Sequence, residues 1–484
     1  MPARTPYFRT LRRLLGTRRR FLKLAGAAAI LPSDWACAAE SGPVAIVGGG
    51  IAGLTAAYRL QAKGVPVELF EGAERLGGRM FTKRDFNEDG MFVELGGELI
   101  DTGHTAIIEL AKELGLEMQN VLQGDKGHDR FWFGGRARSE EELLAGLKPL
   151  IAQIARDAKK LYDKDENFTA HARTLDGTSM TAYLDSVPGI DPWIVEFILA
   201  AYEPEYGVAA PQMSCLNLVD FTDTDLADGF SVFGESDEAW RIRGGNESLP
   251  EALAAKLRDK ITIRTGQRLV KIGQAKDTIQ LKFQGTAAPR EFAKVILALP
   301  FTQLRKVEGI YELPLSSAKK KAIQEMGYGQ NIKVMKGFKS RVWRSAGANG
   351  AVFADLPTFQ NIWETSRGQA GESGILTNLL GSNRTIDPNY LKDVDTVFPG
   401  TAEAHDGRNA VMNWPKMPFH EGSYSCPLVG QYTWIISAAA APECGGKLIF
   451  AGEHTSVDSV GFMNGGVDSG NRAASEVFVA NGKS

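Results

Sequence analysis

Three glycines with the spacing G-x-G-x-x-G are the first residues whose types could carry chemistry: Gly48, Gly50 and Gly53. They follow the apolar run 43–47 and precede the helix-forming run 54–60, so the order is strand, turn, helix. The first glycine permits a tight bend, the second lets the backbone approach a pyrophosphate, and the third permits close helix packing. Free N–H groups at the helix start favour the negative phosphate. The turn predicts a dinucleotide-binding unit.

A carboxylate follows these glycines at the distance that dinucleotide binding requires. Glu71 comes directly after a second apolar run, 65–70, about 20 residues beyond the turn. At that place a carboxylate binds a ribose hydroxyl and repels a 2′-phosphate. Strand, helix, second strand and acid therefore all fall in the expected order.

Lys333 is the candidate for a functional cation. It belongs to the run 329–335, Gly-Gln-Asn-Ile-Lys-Val-Met, which is typical of an apolar strand. A lysine is unusual in such a strand unless it is exposed or functional. Lys336 and Lys339 follow closely, so an edge-strand lysine that points to solvent remains the alternative.

Two acids, Glu98 and Asp101, follow a glycine pair at 96–97. Acids at a binding site favour a cationic ligand. The alternative is structural, because Asp101 or His104 could instead cap the start of a helix without touching a substrate.

Further motifs extend this pattern along the chain. The run 75–79, Arg-Leu-Gly-Gly-Arg, places two arginines around a glycine pair. Taken together, the motifs resemble those of the flavin-containing amine oxidase family, which includes monoamine, polyamine and L-amino-acid oxidases. The resemblance spans residues 43 to about 478 and implies FAD rather than NAD as the cofactor. The other supporting motifs are Glu94-Leu95-Gly96-Gly97-Glu98, Arg243-Gly244-Gly245-Asn246, 294–300, Trp414-Pro415, Gly422-Ser423-Tyr424-Ser425, Phe450-Ala451-Gly452-Glu453-His454 and Gly461-Phe462-Met463-Asn464-Gly465-Gly466.

The resemblance also implies roles for individual residues. Lys333 would hold a water beside flavin N5, and Tyr424 and Phe462 would face each other in front of the flavin, although both rings could instead be ordinary core aromatics. Ser423 lies where monoamine oxidases carry the cysteine that bonds to FAD, which implies a non-covalent cofactor. The expected FAD-binding residues are Gly48, Gly50, Gly53, Glu71, Arg79, Gly96, Gly97, Val270, Gly452, Glu453 and Met463.

The family pattern also bears on the substrate. Many L-amino-acid oxidases place an arginine near Glu98 and Asp101, whereas polyamine oxidases place acids there. The acids therefore favour an amine with an extra positive charge, such as a diamine, a polyamine or a basic amino acid. The implied reaction converts the amine to an imine and then a carbonyl compound, with electrons passing to O2, giving H2O2, or to a quinone-type acceptor.

Two other functions share the same resemblance. A flavin desaturase or a protoporphyrinogen-type oxidase has this fold without requiring a lysine at position 333. An exported flavin-binding protein without catalytic activity is the third interpretation, and it would bind FAD without oxidising any amine.

The elements that must position these residues follow from the resemblance as well. It implies an α/β fold with a Rossmann-like FAD-binding domain built from discontinuous segments, and a substrate domain that combines a mixed sheet with helices. We predict the FAD-binding domain at 43–118, 236–308 and 419–480. The predicted substrate domain covers 119–235 and 309–418.

Residues 1–38 have the pattern of a removable export signal. A basic stretch precedes a short apolar run, and Ala36-Cys37-Ala38 matches a cleavage site. The run Arg18-Arg19-Arg20-Phe21-Leu22-Lys23 resembles a twin-arginine signal, which implies export to the periplasm or beyond. A basic tail that binds a membrane or an acid is the alternative.

Composition limits the remaining classes. With 484 residues the chain exceeds what one core organises, and 43% hydrophobic with 23% charged residues fits a soluble globular protein without stable membrane insertion. A net charge of −3 argues against nucleic acid as a partner. The four cysteines and six histidines form no metal-ligand pattern. The oligomeric state stays open, with a homodimer among the options.

Overall fold

The computed structural model describes residues 42–125, 127–226 and 229–479. The predicted export signal at 1–38 lies outside the described residues. None of the described helices has both the length and the hydrophobicity that crossing a bilayer requires. The mixture of a parallel sheet, a mixed sheet and packed helices confirms the predicted α/β class.

A five-stranded parallel sheet organises the first half of the fold, in the order β19-β13-β1-β2-β9. Its central strand β1 has the sequence Val-Ala-Ile-Val and is buried along its whole length, as a strand covered on both faces must be. The strands are β1 (Val44–Val47), β2 (Val67–Phe70), β9 (Thr262–Arg264), β13 (Val295–Leu297) and β19 (Leu448–Phe450). They come from three separated stretches, while the exact domain boundaries stay predictions.

Helices cover this sheet. Helix α1 follows the glycine turn and packs against both α15 and α8, and α15 also contacts α2. These helices are α1 (Ile51–Ala62), α2 (Thr105–Glu113), α8 (Ser248–Leu257) and α15 (Met463–Glu476). An antiparallel sheet of β10 (Leu269–Ala275), β11 (Thr278–Phe283) and β12 (Arg290–Phe292) lies beside them.

A seven-stranded mixed sheet forms the other half of the fold, and its strand order is β18-β14-β17-β16-β15-β6-β7. Strand β14 pairs with β17 on one side and β18 on the other, so Lys333 does not lie on an edge strand. The strands are β6 (His128–Phe133), β7 (Arg136–Arg138), β14 (Ile332–Phe338), β15 (Ala348–Leu356), β16 (Phe359–Glu364), β17 (Gly374–Leu380) and β18 (His405–Asn413).

A helical region packs beside the mixed sheet. Its first helix, α3, begins with the reciprocal capping bonds between Ser139 and Glu142 that satisfy free backbone N–H groups. Its buried leucine and isoleucine side chains join the core of the other helices. The helices are α3 (Glu140–Ala158), α4 (Ala170–Asp176), α5 (Met180–Asp185), α6 (Pro192–Tyr206) and α7 (Leu216–Val219).

Short elements connect these layers. Two two-stranded ladders pair β3 (Thr82–Lys83) with β4 (Val93–Glu94) and β5 (Met118–Asn120) with β8 (Trp240–Ile242). The remaining helices are α9 (Phe301–Leu304), α10 (Ser317–Glu325), α11 (Val342–Ser345), α12 (Tyr390–Val397), α13 (Thr401–Ala404) and α14 (Ile435–Ala440), with two 3-10 turns at Trp414–Lys416 and Glu453–Thr455.

The turn between β1 and α1 depends on its glycines. Gly48 has a φ of +110°, which side-chain-bearing residues rarely adopt. A methyl group on Gly53 would lie 2.0 Å from the Gly48 carbonyl oxygen. Helix α1 therefore starts directly at the end of strand β1. The free N–H groups of its first turn consequently point beyond the end of the sheet.

We expect Gly53→Ala to lower the free energy of unfolding by about 2 kcal/mol, because the new methyl group must push the turn apart. Gly177→Ala is the matched control, since Gly177 has a φ of −73° at a helix end and its nearest neighbour would be 3.4 Å away. Thermal unfolding of both variants measures the difference. Equal melting temperatures for the two variants would contradict the close approach at Gly53.

Candidate active site

A cavity of about 2550 Å³ lies where the carboxyl ends of the parallel strands meet the mixed sheet. Val47 and Gly48 at the end of β1, Ala298 after β13 and Gly452 after β19 line one side. Lys333 on β14 lines another side. Ligands of open α/β sheets bind at the carboxyl ends of the strands, so this cavity is the candidate active site.

The predicted dinucleotide turn forms one wall of the cavity. Gly48 and Gly50 line it, whereas Gly53 lies behind the turn. Glu71 also lines it, and its carboxylate accepts hydrogen bonds from the backbone N–H groups of Gly49 at 2.6 Å and Ala73 at 2.8 Å. Burial raises the pKa of Glu71, and these N–H donors partly offset the effect. Glu71 therefore fixes the turn and leaves its remaining lone pairs for a ribose.

The second glycine pair is fitted even more closely. A methyl group on Gly96 would lie 1.8 Å from the Arg79 carbonyl oxygen, and one on Gly97 would lie 2.6 Å from the Met463 sulfur. Gly96, Gly97 and Met463 all line the cavity. Met463 is the first residue of α15, so the glycine pair lies against the positive end of a second helix.

Arg79 and Glu453 form a salt bridge with a 2.8 Å contact in the cavity wall. Arg79 also donates to the Ser423 carbonyl at 2.6 Å, and Glu453 accepts from the Gly461 N–H at 2.9 Å. Burial alone would raise the pKa of Glu453, but Arg79 and the hydrogen bonds lower it on balance. The pair is thus ionised and joins residues that are far apart in sequence.

The two remaining predicted FAD-binding residues also reach the cavity. Gly452 lines it and donates its N–H to the Ser469 hydroxyl at 2.9 Å. Val270 lines it from β10, at the end of the cavity where Gln267 donates to the Glu71 carbonyl at 2.7 Å. Val270 therefore lies at the same end of the cavity as Glu71, the residue expected to bind the ribose.

Lys333 and Glu98 come together in the wall formed by the mixed sheet. The Lys333 ammonium donates to the Glu98 carboxylate at 2.7 Å and to the Gly96 carbonyl at 3.1 Å. The side chains are only 6% and 5% exposed. The sequence indicates these two residues separately, Lys333 on the cofactor side and Glu98 on the substrate side, and contains no sign that they pair.

The two predicted aromatic residues both line the cavity. The Tyr424 hydroxyl donates to the Glu205 carbonyl, and burial raises the pKa of Tyr424 well above its usual value. The Phe462 ring lies 4.8 Å from the His104 ring between centroids. The structure thus brings both rings to the same cavity, while their action as a facing pair stays a prediction.

Asp101 does not cap helix α2. His104 occupies the N-cap position, without a side-chain capping bond. The Asp101 carboxylate instead accepts from the Ser236 hydroxyl and the Glu238 N–H, both at 2.9 Å, and lies 3.3 Å from the His104 ring nitrogen. Asp101 also lines the cavity, where its substrate contact stays a prediction.

Among the cavity-lining residues that the sequence motifs do not indicate are Glu205, Glu238 and Trp363. Glu205 is the only acid that the apolar helix α6 directs into this cavity among the described residues. Its position as a charged residue near the end of an apolar helix is the feature of the sequence that could have indicated Glu205. Glu238 lies in a loop and Trp363 on β16, and neither belongs to a recognisable motif.

These residues fit a bound FAD. The glycine turn starts a helix, and a methyl group on Gly50 would have its nearest neighbour, the Gly78 Cα, 3.9 Å away, so a pyrophosphate has room to approach the turn. The cavity connects this turn with the Gly96–Gly97 pair. Ser423 lines the cavity, and its hydroxyl is engaged with the Asn331 side chain, so it offers no nucleophile. FAD would be held by the Gly48–Gly53 turn, Glu71, Arg79, Gly96–Gly97, Val270, Gly452, Glu453 and the start of α15.

Several known proteins are similar to this chain in sequence or in fold. An L-amino-acid oxidase of Demansia vestigiata is 25% identical over 471 residues, covering 91% of this chain and 87% of its own. The flavin-containing amine oxidase A of Sus scrofa is also 25% identical, over 470 residues that cover 91% and 85% of the two chains. The solved structure of wild-type putrescine oxidase bound to putrescine has a TM-score of 0.76 at 20% identity, covering 90% of this chain and 99% of that one.

The family model for flavin containing amine oxidoreductases matches residues 51–478. This match covers most of the chain, from the first residue of α1 to beyond the end of α15, and it includes Lys333. The chain therefore belongs to the flavin containing amine oxidoreductase family, with FAD as its cofactor and amines as its substrates.

Proposed function

We propose that the protein oxidises a diamine or polyamine and passes the electrons to O2. FAD, when bound, would supply the acceptor for the hydride equivalent that leaves the carbon bearing the amine nitrogen. The chain itself must bind the amine, orient that carbon and exclude water from the cavity. The imine product would then react with water to give a carbonyl compound and ammonia or an amine. One observation carries the substrate class, namely the acids that line the cavity beside Tyr424.

Three of these acids, Asp101, Glu205 and Glu238, are called here the carboxylate cluster. All three line the cavity. The Glu238 N–H donates to Asp101 at 2.9 Å, and the Glu205 carbonyl accepts from Tyr424. Glu238 has a φ of +47°, which is uncommon for a residue with a side chain. The backbone is thus held in a strained conformation at the point that brings the cluster together.

The carboxylate cluster is poised to bind a cation. Burial raises the pKa of Glu205 to about 7, with Asp101 as a further cause. Burial also raises the pKa of Glu238 to about 8, and the neighbouring Glu205 and Asp101 add to the effect. A substrate ammonium would offset the cost of keeping these carboxylates charged, because it supplies the missing opposite charge.

The cavity favours a second ammonium over a substrate carboxylate. Of the lysine and arginine side chains among its described lining residues, four are paired with glutamates: Arg75 with Glu247, Arg79 with Glu453, Lys306 with Glu421 and Lys333 with Glu98. The fifth, Arg268, lies on the Val270 side of the cavity. An amino-acid carboxylate would therefore meet acids rather than a free cation near the carboxylate cluster.

The relatives differ in substrate, so the choice needs a direct test. We expect putrescine and spermidine to bleach the flavin absorbance of the anaerobic protein at lower concentration than 1-aminobutane or any L-amino acid. The carboxylate cluster supplies the reason. 1-Aminobutane lacks a second cation, and an L-amino acid, even a basic one, brings a carboxylate that the cluster repels. Readmitting O2 should then restore the absorbance and yield H2O2.

Bleaching by L-amino acids alone would contradict the diamine proposal and favour an amino-acid oxidase. A yellow protein that no amine bleaches would instead favour a flavin desaturase or a flavin-binding protein without catalytic activity. Because 1-aminobutane matches putrescine in length, their comparison isolates the second ammonium.

The pKa values of the carboxylate cluster predict a pH dependence. As pH rises through about 7 to 8, Glu205 and Glu238 lose their protons while the distal ammonium of putrescine keeps its own. The KM for putrescine should therefore fall more steeply with pH than the KM for 1-aminobutane. The charged and titratable neighbours of these two acids are Asp101, Glu98, Arg367, Tyr202, Tyr206 and Tyr424.

Glu238→Gln should remove much of this difference between the two substrates. Glu196→Gln is the matched control, because Glu196 is exposed on the same helix as Glu205 but does not line the cavity. Steady-state kinetics with both amines from about pH 6 to 9 measures the effect. Parallel pH profiles for the two amines in the unaltered protein would contradict a role for the cluster in binding.

We also propose that FAD is held without a covalent bond. Ser423 lies where a cysteine would be needed, and its hydroxyl is engaged with Asn331. Denaturation with acid should therefore release the flavin into the supernatant, where absorbance measures it. Flavin that stays with the precipitated protein would show a covalent link.

We further propose export by a twin-arginine-type signal, which rests on residues 1–38 of the sequence alone.

A further inference from the structure

The ion pair of Lys333 and Glu98 connects the two halves of the molecule. Glu98 follows the glycine pair that lies against α15, and Lys333 belongs to the interior strand β14 of the mixed sheet. Their contact is 2.7 Å, and both side chains are more than nine-tenths buried. Because a buried ion pair has little solvent to compensate it, each partner depends on the other.

The Glu98 carboxylate is fixed through both of its oxygens. One oxygen accepts from the Lys333 ammonium, and the other accepts from the Thr365 hydroxyl at 2.7 Å. Thr365 is itself hydrogen-bonded to the hydroxyl of Thr377 on the neighbouring strand β17. Burial alone would raise the pKa of Glu98, but Lys333 and these bonds lower it on balance, so Glu98 is ionised at neutral pH.

The Lys333 ammonium has one donor left over. A protonated lysine carries three N–H donors. Two of them are used by Glu98 and by the Gly96 carbonyl. No third acceptor is found for it in the part of the chain that the structure describes, and Lys333 lines the cavity. The nearby Trp363 ring has its centroid 5.6 Å from the ammonium nitrogen and also lines the cavity.

We infer that Glu98 is a positioning residue for Lys333. It fixes the ammonium so that one N–H donor faces the cavity, and it cancels the positive charge there. The flavin cavity therefore meets a hydrogen-bond donor without a net positive charge. The other charged groups around the pair are Glu94, Glu238 and Arg241.

Removing the Glu98 charge should change the redox behaviour of the bound FAD. An uncompensated positive charge in a cavity of low dielectric stabilises the more negative, reduced form of a cofactor. In Glu98→Gln, which keeps the shape of the side chain, the midpoint potential should rise. At a fixed dye potential, we expect the ratio of reduced to oxidised flavin to be at least tenfold higher in the variant. This ratio corresponds to a rise in midpoint potential of about 30 mV for a two-electron couple.

Glu364→Gln is the matched control for the loss of a buried ion pair. Glu364 is fully buried in the same mixed sheet, where it pairs with Arg341 and Arg344, and it does not line the cavity. Both variants should unfold at lower temperature, but only Glu98→Gln should shift the potential. Dye-coupled anaerobic titration of the purified holoprotein measures the potential independently of amine turnover.

Variants that lack the Lys333 ammonium test whether Glu98 acts on the flavin potential by way of Lys333. In Lys333→Gln, adding Glu98→Gln removes an unpaired carboxylate instead of exposing an ammonium. The single variant Lys333→Gln should therefore have a lower potential than both the unaltered protein and the double variant. This comparison remains available if Glu98→Gln alone does not fold. Unchanged potentials in the variants that fold, or an equal shift in Glu364→Gln, would overturn the inference.

Discussion

The salt bridge between Arg79 and Glu453 is the interaction on which the cavity most depends. Arg79 follows the first two strands of the parallel sheet, and Glu453 follows its last strand, so one contact closes a loop of 374 residues. Arg79 also bonds the Ser423 carbonyl, and Glu453 bonds the N–H groups of Ser425 and Gly461. The segments that carry Tyr424 and Phe462 are thereby fixed to Arg79, at the end of the run 75–79. The Glu453 side chain is only 7% exposed, so removal of the Arg79 guanidinium would leave a buried carboxylate without its main opposite charge.

A second ion pair, which is buried on both sides, joins distant segments in the wall formed by the mixed sheet. Lys333 and Glu98 attach the mixed sheet to the glycine pair, so the two halves of the fold meet through charge rather than through apolar packing alone. Such pairs contribute little net stability compared with apolar contacts, but they fix orientation. The Lys333 ammonium is thus held by a carboxylate from another part of the chain.

The charges of the cavity are distributed unevenly. Near the cofactor-binding segments, Arg75, Arg79 and Lys306 are neutralised by glutamates. Near Tyr424, the carboxylates of Glu205 and Glu238 form no salt bridge within the described part of the chain, and burial raises the pKa of both, although Arg367 partly offsets this effect for Glu238. A cavity with this distribution would attract a cationic ligand to one end and leave the other end for the phosphates and flavin. The diamine proposal follows from that asymmetry.

The fold class and the family could be predicted from the sequence, because Gly48, Gly50, Glu71 and the later motifs depend on local geometry at fixed spacing. The same motifs predict a set of cofactor-binding residues, and Lys333 is a candidate functional cation because a lysine is unusual in an apolar strand. The pairing of Glu98 with Lys333 and the approach of Glu205 and Glu238 to Asp101 arise only in the folded chain. Those contacts join residues separated by up to 235 positions, and no local pattern encodes which distant charges will meet.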